Sequence, residues 1–273
     1  MFSLASGDRK RKSGRRMRNL REFHADLHIH TCLSPCASLD LSPRNIVDRA
    51  KSQGLDVIAI TDHNSAKNVQ VLMRLGEKGG IKVIPGMEVQ SREEIHLLTL
   101  FADWPATETW AEEVFRSLPK MENDPLVFGD QPIVDEDGNI LDFEPRLLLN
   151  SLSLSAEEII RLVAGKGGLT IPSHFDRGSF SLISQLGFIP PNMPLEALEV
   201  NRSRNPFPES VWREGSRTLP LIASSDAHRL EEIGSGRTIF LMAEPTLAEF
   251  HLAFGNQEGR RVVKFFHNPI DPF

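Results

Sequence analysis

From about residue 24 onward the chain alternates short apolar runs, rich in β-branched residues, with longer amphipathic ones. The short runs predict strands at residues 25–30, 56–61, 82–87, 95–101, 169–172, 195–200 and 219–223. The longer ones predict helices. Ser42 and Pro43 open one, as capping residue and first helical residue, and Gly54 closes it. Ser155-Ala-Glu-Glu158 has the capping-box spacing and opens another that ends near Gly165. Strands separated by helices predict parallel βαβ units, and seven of them in one chain point to a barrel or a doubly wound sheet.

Residues 119–150 interrupt this rhythm. They contain "PIVDEDGNILDF", two apolar runs around an Asp137-Gly138 turn, which reads as a β-hairpin insertion. Its acidic cluster does not fit a calcium loop, because the glycine comes too early and no closing glutamate follows at the required spacing. The insertion is read either as overhanging the barrel mouth and shaping substrate choice, or equally as a surface hairpin or an oligomer contact.

Length and charge narrow the class. A chain of 273 residues suits one large domain or two small ones, and a single α/β barrel takes about 250. Hydrophobic and charged contents of 40% and 25% are those of a soluble globule. No apolar run approaches the roughly 18 residues that span a bilayer. The basic N-terminus lacks the apolar stretch of a secretory signal, and two cysteines make no disulfide framework. A reduced, cytoplasmic protein is the expectation. The net charge of −6 hides an asymmetry: residues 9–21, "RKRKSGRRMRNLR", hold eight Lys/Arg. An acidic body repels phosphate backbones away from any metal site. Residues 1–22 are therefore read as a disordered basic extension to a domain spanning 23–273, with nucleic acid only a secondary candidate partner.

Chemistry gathers where the predicted strands end. His28 and His30 alternate with Leu27 and Ile29 and point to one face of the first strand. The second ends in Thr61-Asp62-His63 and the third in Gly86-Met87-Glu88; the fourth contains His96. The fifth ends in Ser173-His174-Phe175-Asp176-Arg177 and the seventh in Ser224-Ser225-Asp226-Ala227-His228. One histidine near a strand is ordinary. Six strands that each bring a histidine or carboxylate to one region are not, since the C-terminal ends of parallel strands converge on one mouth. Imidazoles with a few carboxylates suit zinc, iron or manganese better than magnesium or calcium. The set exceeds what one ion uses, and Glu88 can bridge two. Such a cluster activates water near neutral pH and supports in-line displacement, which predicts hydrolysis of a phosphate ester. His24, His251 and His267 lack this context.

The constellation resembles the PHP (polymerase and histidinol phosphatase) family. The four family motifs correspond to His28-x-His30, Thr61-Asp62-His63, His174 and Asp226-x-His228, with Glu88 and His96 between, over roughly residues 23–241. The resemblance implies a distorted (β/α)7 barrel, phosphoesterase activity, and two to three divalent ions of zinc, manganese or iron. Carried over by position, the first ion takes His28, His30, Glu88 and Asp226. The second shares Glu88 and adds His96 and His174. The third takes His63, His228 and a residue from the loop after His30. There the common family pattern has an aspartate, whereas this chain reads Ser34-Pro35-Cys36. Some members place a histidine ligand at the position of Cys36, and a thiolate binds zinc or iron well. Cys32 has no such counterpart and is expected to pack.

On this reading Glu88, Asp226 and His228 are catalytic, and a metal-bridging hydroxide attacks the phosphorus of a small phosphomonoester or nucleotide. Arg177, Arg202, Arg204 and Arg229 follow predicted strand ends and clamp the phosphate by forked hydrogen bonds. Asp26 and Asp62 are placed to orient imidazoles from behind. Three rivals stand beside it. An amidohydrolase-like C–N hydrolase is opposed by a glutamate in place of a bridging lysine. A nuclease on short oligonucleotides has the basic arm as its special support. A non-catalytic metal-binding module is opposed by the intact ligand set.

Overall fold

The structure is a computed structural model that describes residues 19–191, 193–200, 213–214 and 217–267. Strands β1 (Arg21–Ile29), β2 (Val57–Ile60) and β3 (Lys82–Gln90) lie side by side and parallel. Helices α1 (Pro43–Ser52) and α2 (Val69–Gly79) make the two crossovers. Strand β2 reads Val-Ile-Ala-Ile and is buried at every position, as a strand covered on both faces must be. Val57 and Ala59 join one apolar cluster, and Ile58 and Ile60 join the other, with Ile46 of α1 and Leu72 of α2.

The expected parallel order then breaks. Strand β4 (His96–Leu100) folds straight back on β3 as an antiparallel partner, with Gln90 opposite His96 and Gly86 opposite Leu100. The five residues 91–95 between them are too few for a crossover helix. His96 therefore enters the mouth from the start of a strand, whereas the other histidine-bearing strands deliver theirs near their ends. Helix α3 (Trp104–Ser117) is capped by Asp103, which accepts from the Ala106 N–H, and leads into the insertion. Helix α5 (Ala156–Gly165) starts at the predicted capping box, with Ser155 and Glu158 each accepting the other's backbone N–H. Strand β7 (Leu169–Pro172) follows and pairs antiparallel with β4.

After α6 (Leu182–Leu186) come β8 (Leu198–Val200), a short antiparallel pair β9 (Arg213–Glu214) and β10 (Arg217–Thr218), and β11 (Leu221–Ala223). Strands β8 and β11 are parallel neighbours. Backbone bonds close the ring: Phe175 N–H donates to Glu199 O, His30 N–H to Ala227 O, and Ala227 N–H to His28 O. Strands β1, β2, β3, β4, β7, β8 and β11 are thus the staves of a distorted barrel, and they are the seven segments the apolar runs predicted. The short pair β9 and β10 was not predicted, and neither were two strands of the main sheet. Strands β12 (Gly236–Met242) and β13 (Arg261–His267) extend the sheet antiparallel beyond the first half of β1, with α7 (Leu247–Phe254) between them. Phe240, Phe250 and Phe254 pack edge-to-face and stacked in the same apolar cluster as Val57 and Ala59. Among the described residues no helix is long and apolar enough to cross a membrane.

The insertion holds α4 (Pro125–Phe128) and the expected hairpin, β5 (Pro132–Val134) against β6 (Ile140–Phe143). The Asp135 carboxylate ties its turn by accepting from the N–H groups of Asp137 and Asn139, and Gly138 supplies the left-handed turn position at φ +84°. The tip does not overhang the mouth. Asp137 binds Arg44 of α1 at 2.6 Å and Glu136 binds Lys78 of α2 at 2.8 Å, so the hairpin is fastened to the outer helices. Its root hangs on buried Asn68, whose amide donates to Pro132 O and Thr31 Oγ1 and accepts from Val134 N–H. Asn68→Ala strands those groups, at roughly 1–3 kcal/mol for each left unsatisfied. Urea unfolding should show a stability loss of about 2 kcal/mol or more; a loss within about 0.5 kcal/mol, the scale of an inconsequential surface change, would show that the insertion does not depend on this tie.

Candidate metal centre

Glu88 stands near the end of β3, 1% exposed, with five imidazoles around its two oxygens. Its Oε1 lies 3.1 Å from His96 Nδ1, 3.3 Å from His174 Nε2 and 3.4 Å from His28 Nε2. Its Oε2 lies 3.2 Å from His63 Nδ1 and 3.5 Å from His30 Nε2. Asp226 completes the set, its Oδ1 lying 3.2 Å from His28 Nε2, 3.4 Å from His30 Nε2 and 3.6 Å from His228 Nδ1. All eight sequence-predicted His, Glu and Asp residues therefore converge. Two of them, His174 at φ +31° and Asp226 at φ +52°, occupy backbone conformations that L residues rarely adopt. Such strain persists where the surroundings hold it, and it gathers at functional sites.

Hydrogen bonds behind the imidazoles fix which nitrogen faces inward. His28 donates its Nδ1–H to Glu199 Oε2 at 2.9 Å, and that same oxygen accepts the backbone N–H of His174 at 3.0 Å. His30 donates its Nδ1–H to Ser34 Oγ at 2.9 Å, and the Ser34 hydroxyl donates on to Asp62 at 2.7 Å. His228 donates its Nδ1–H to the main-chain oxygen of Asp226 at 2.8 Å. His96 donates its Nε2–H to Gln90 Oε1 at 3.2 Å, which leaves Nδ1 for the centre. The lone pairs of His28 and His30 then meet at Nε2, 3.2 Å apart. Two acceptors hold that distance only with a cation or a proton between them. Among the described residues buried His174 has no hydrogen-bond partner on Nδ1, and its Nε2 has only the 3.3 Å contact to Glu88. Converging lone pairs, an orphaned imidazole and buried carboxylates fit divalent metal.

Among the described residues, three groups have ligand atoms mutually within 4.8 Å: His28, His30 and Asp226; His63, Glu88 and His96; and His30, His63 and His228. His96 stands in a group with His63, and it also shares Glu88 Oε1 with His174, its partner in the expected second set. The protonation states follow from the same geometry. Burial alone would lower the pKa of His28, but Glu199, Asp226 and Glu88 outweigh it and raise it well above the usual value. Burial, and then the nearness of His228, lowers His30 to about 4. Burial, and then His30, takes His63 well below its usual value. Burial would push Glu88 up, yet His96 and His28 hold it well below the carboxylate range, and His28 does the same for Asp226.

The centre opens into a cavity of about 790 Å³. Arg177 and Arg229 line it; Arg177 also reaches Asp226 Oδ2 at 3.1 Å. Arg202 and Arg204 lie outside the described residues. Of residues 119–150, Leu149 lines the cavity and the hairpin does not. Cys36 is on the wall, but its sulfur joins none of the three ligand groups. Cys32 is buried as expected, near the Asn68 amide. Asp62 orients His30 through Ser34. Asp26, in contrast, touches no imidazole side chain: it accepts the N–H groups of Ser225 and Gly234 and so braces the loop that carries Asp226, and burial pushes it up to about 6. His24 bonds to Asp56 through its backbone, and His251 pairs with Glu196 at 2.7 Å, both away from the centre. Sequence reasoning missed Glu199, Gln90 and Ser34. The available signal for Glu199 was a lone carboxylate inside the apolar run 195–200, where burial requires a partner.

A barrel mouth holding a carboxylate ringed by imidazoles defines a metal-centre protein of the α/β class. The chain belongs to the PHP domain family, whose model matches residues 26–174, and a PHP-associated model matches residues 215–256. An uncharacterized protein of Methanocaldococcus jannaschii is 38% identical over 91 residues, covering 30% of this chain and 53% of that protein. A 5'-3' exoribonuclease of Haemophilus influenzae is 33% identical over 81 residues, covering 29% of this chain and 28% of that protein. The matches thus span about half, or less, of the length of these curated relatives. The fold is also that of a lesion-specific endonuclease from Pyrococcus furiosus: TM-score 0.63 at 20% identity, over 90% of this chain and 58% of the other.

The raised pKa of His28 has a measurable sign. Because the surrounding carboxylates raise His28, a metal ion that binds there competes with a proton, so affinity rises with pH until His28 is neutral without help. Zinc titrated at pH 7 in buffers of different ionisation enthalpy should release a proton. Glu199→Gln removes the largest upward influence on His28, so proton release should shrink. Metal affinity should fall about 10–100-fold, as for other partners behind a ligand. Unchanged affinity and proton release in this variant would refute the orienting role.

Proposed function

We propose that the chain is a metal-dependent phosphoesterase that hydrolyses a phosphate ester at this centre. The observation that carries this reading is Glu88, which has imidazoles on both carboxylate oxygens and can bridge two ions. The three ligand groups support two or three ions of zinc, manganese or iron, the donor chemistry excluding none of these. Bound there, such ions supply Lewis acidity and lower the pKa of water. The chain does the rest. Glu199 and the Ser34–Asp62 pair hold the tautomers of His28 and His30. Arg177 and Arg229 present guanidinium groups to phosphate oxygens, and His63 and His228 support the same phosphate.

A cavity of about 790 Å³ suits a small phosphorylated substrate such as a nucleotide. A phosphodiester remains the second reading, because the Haemophilus relative is by name an exoribonuclease. The test loads the purified protein with each metal and measures turnover on a panel of phosphate mono- and diesters. Glu88→Gln should lose at least one ion per chain. Turnover should fall by more than about 100-fold, beyond the effect of an outer partner. Full metal content and wild-type turnover in Glu88→Gln would end the multinuclear reading.

A further inference from the structure

We propose that Phe180 is a stacking platform by which this site selects substrates carrying a planar ring, a nucleobase, beside the phosphorus. The proposal rests on the phosphoesterase reading and deepens it. Phe180 lies in the loop between β7 and α6, and its ring stacks on the His96 imidazole with centroids 5.0 Å apart and planes 22° from parallel. Its carbonyl accepts the His96 N–H at 3.0 Å. Side chain and backbone therefore both tie Phe180 to a residue that touches Glu88. One ring face is spent on His96, yet the residue keeps 37% exposure and lines the cavity.

Two further features make ordinary packing a poor account. The backbone at Phe180 is left-handed, at φ +55°, an unusual conformation for an aromatic residue that the fold must hold in place. The ring also stands on a wall otherwise rich in polar groups, among them Gln90, Arg177, His228 and Glu232. A phosphate held beside Glu88 with Arg177 and Arg229 on its oxygens would leave its attached group in the cavity that the partly exposed ring of Phe180 lines. Base stacking on an aromatic face tolerates any base and is worth roughly five- to 150-fold in affinity. A sugar phosphate without a base gains none of this. The alternative role is a cover that keeps water off His96, which an aliphatic side chain of similar bulk would fill equally well.

The two roles separate in a binding measurement that needs no turnover. The isosteric phosphonates of AMP and ribose 5-phosphate, which carry an uncleavable C–P bond, are titrated into the zinc-loaded protein. Wild type should prefer the adenosine compound by at least about fivefold. Phe180→Leu, which keeps the cover and removes the aromatic face, should bring the preference below about twofold, and Phe180→Trp should restore it. No preference in wild type, or an unchanged preference in Phe180→Leu, overturns the platform. A clear ring preference in a protein that cleaves no phosphate ester would instead refute the phosphoesterase reading and leave the platform standing.

Discussion

The rest of the structure depends on one constraint: a carboxylate, Glu88, is kept almost wholly from water at the mouth of the barrel. Burying an ion without compensation is among the most costly things a fold can do. Here the compensation consists of imidazoles from β1, β4, and the loops after β2 and β7, with Asp226 from the loop after β11. Imidazoles are good partners for an ion pair only when protonated. Burial lowers His30 and His63 instead, and prepares them as neutral ligands. The carboxylates that raise His28 favour a proton there, a small-scale substitute for the positive charge that metal ions bring. A site whose charge balance closes only with added cations is built to bind them.

The outer groups turn that requirement into geometry. Glu199 ties β8 to both β1 and the His174 loop through one oxygen atom. Ser34 accepts from His30 and from the backbone of His63 while donating to Asp62, so the first and second staves are locked by a single hydroxyl. Asp26 braces the loop of Asp226 from below. His28 and His30 are thus fixed in ring orientation and tautomer before any ion arrives, which reduces the ordering cost of binding. The same rigidity extends into the cavity through the His96–Phe180 stack.

The sequence made the staves and the cluster of candidate ligands legible for a common reason. Apolar runs mark the strands, and the residue types at their ends mark the site, so both signals are local. Strand direction is not local: nothing in the residues of β4 states that it runs antiparallel, although the five-residue link from β3 excludes a crossover. Strand β12 was missed because an apolar run of that length fits a buried helix as well as a strand. Glu199, Gln90 and Ser34 acquire their roles only from partners that the fold brings near, at separations such as the 171 residues between His28 and Glu199. The hairpin was read correctly as an element and its position was left open between mouth and surface, since the charge pairs that fasten it to α1 and α2 depend on tertiary placement.

Anomalous diffraction from crystals of metal-loaded protein, recorded on both sides of the absorption edge of the bound element, tests the central claim most directly. The account predicts at least two peaks among the imidazoles, with Glu88 between a pair of them and His28 and His30 both within ligand distance of one. Stoichiometric metal bound away from Glu88, or a centre with no peak at saturating metal, would contradict it.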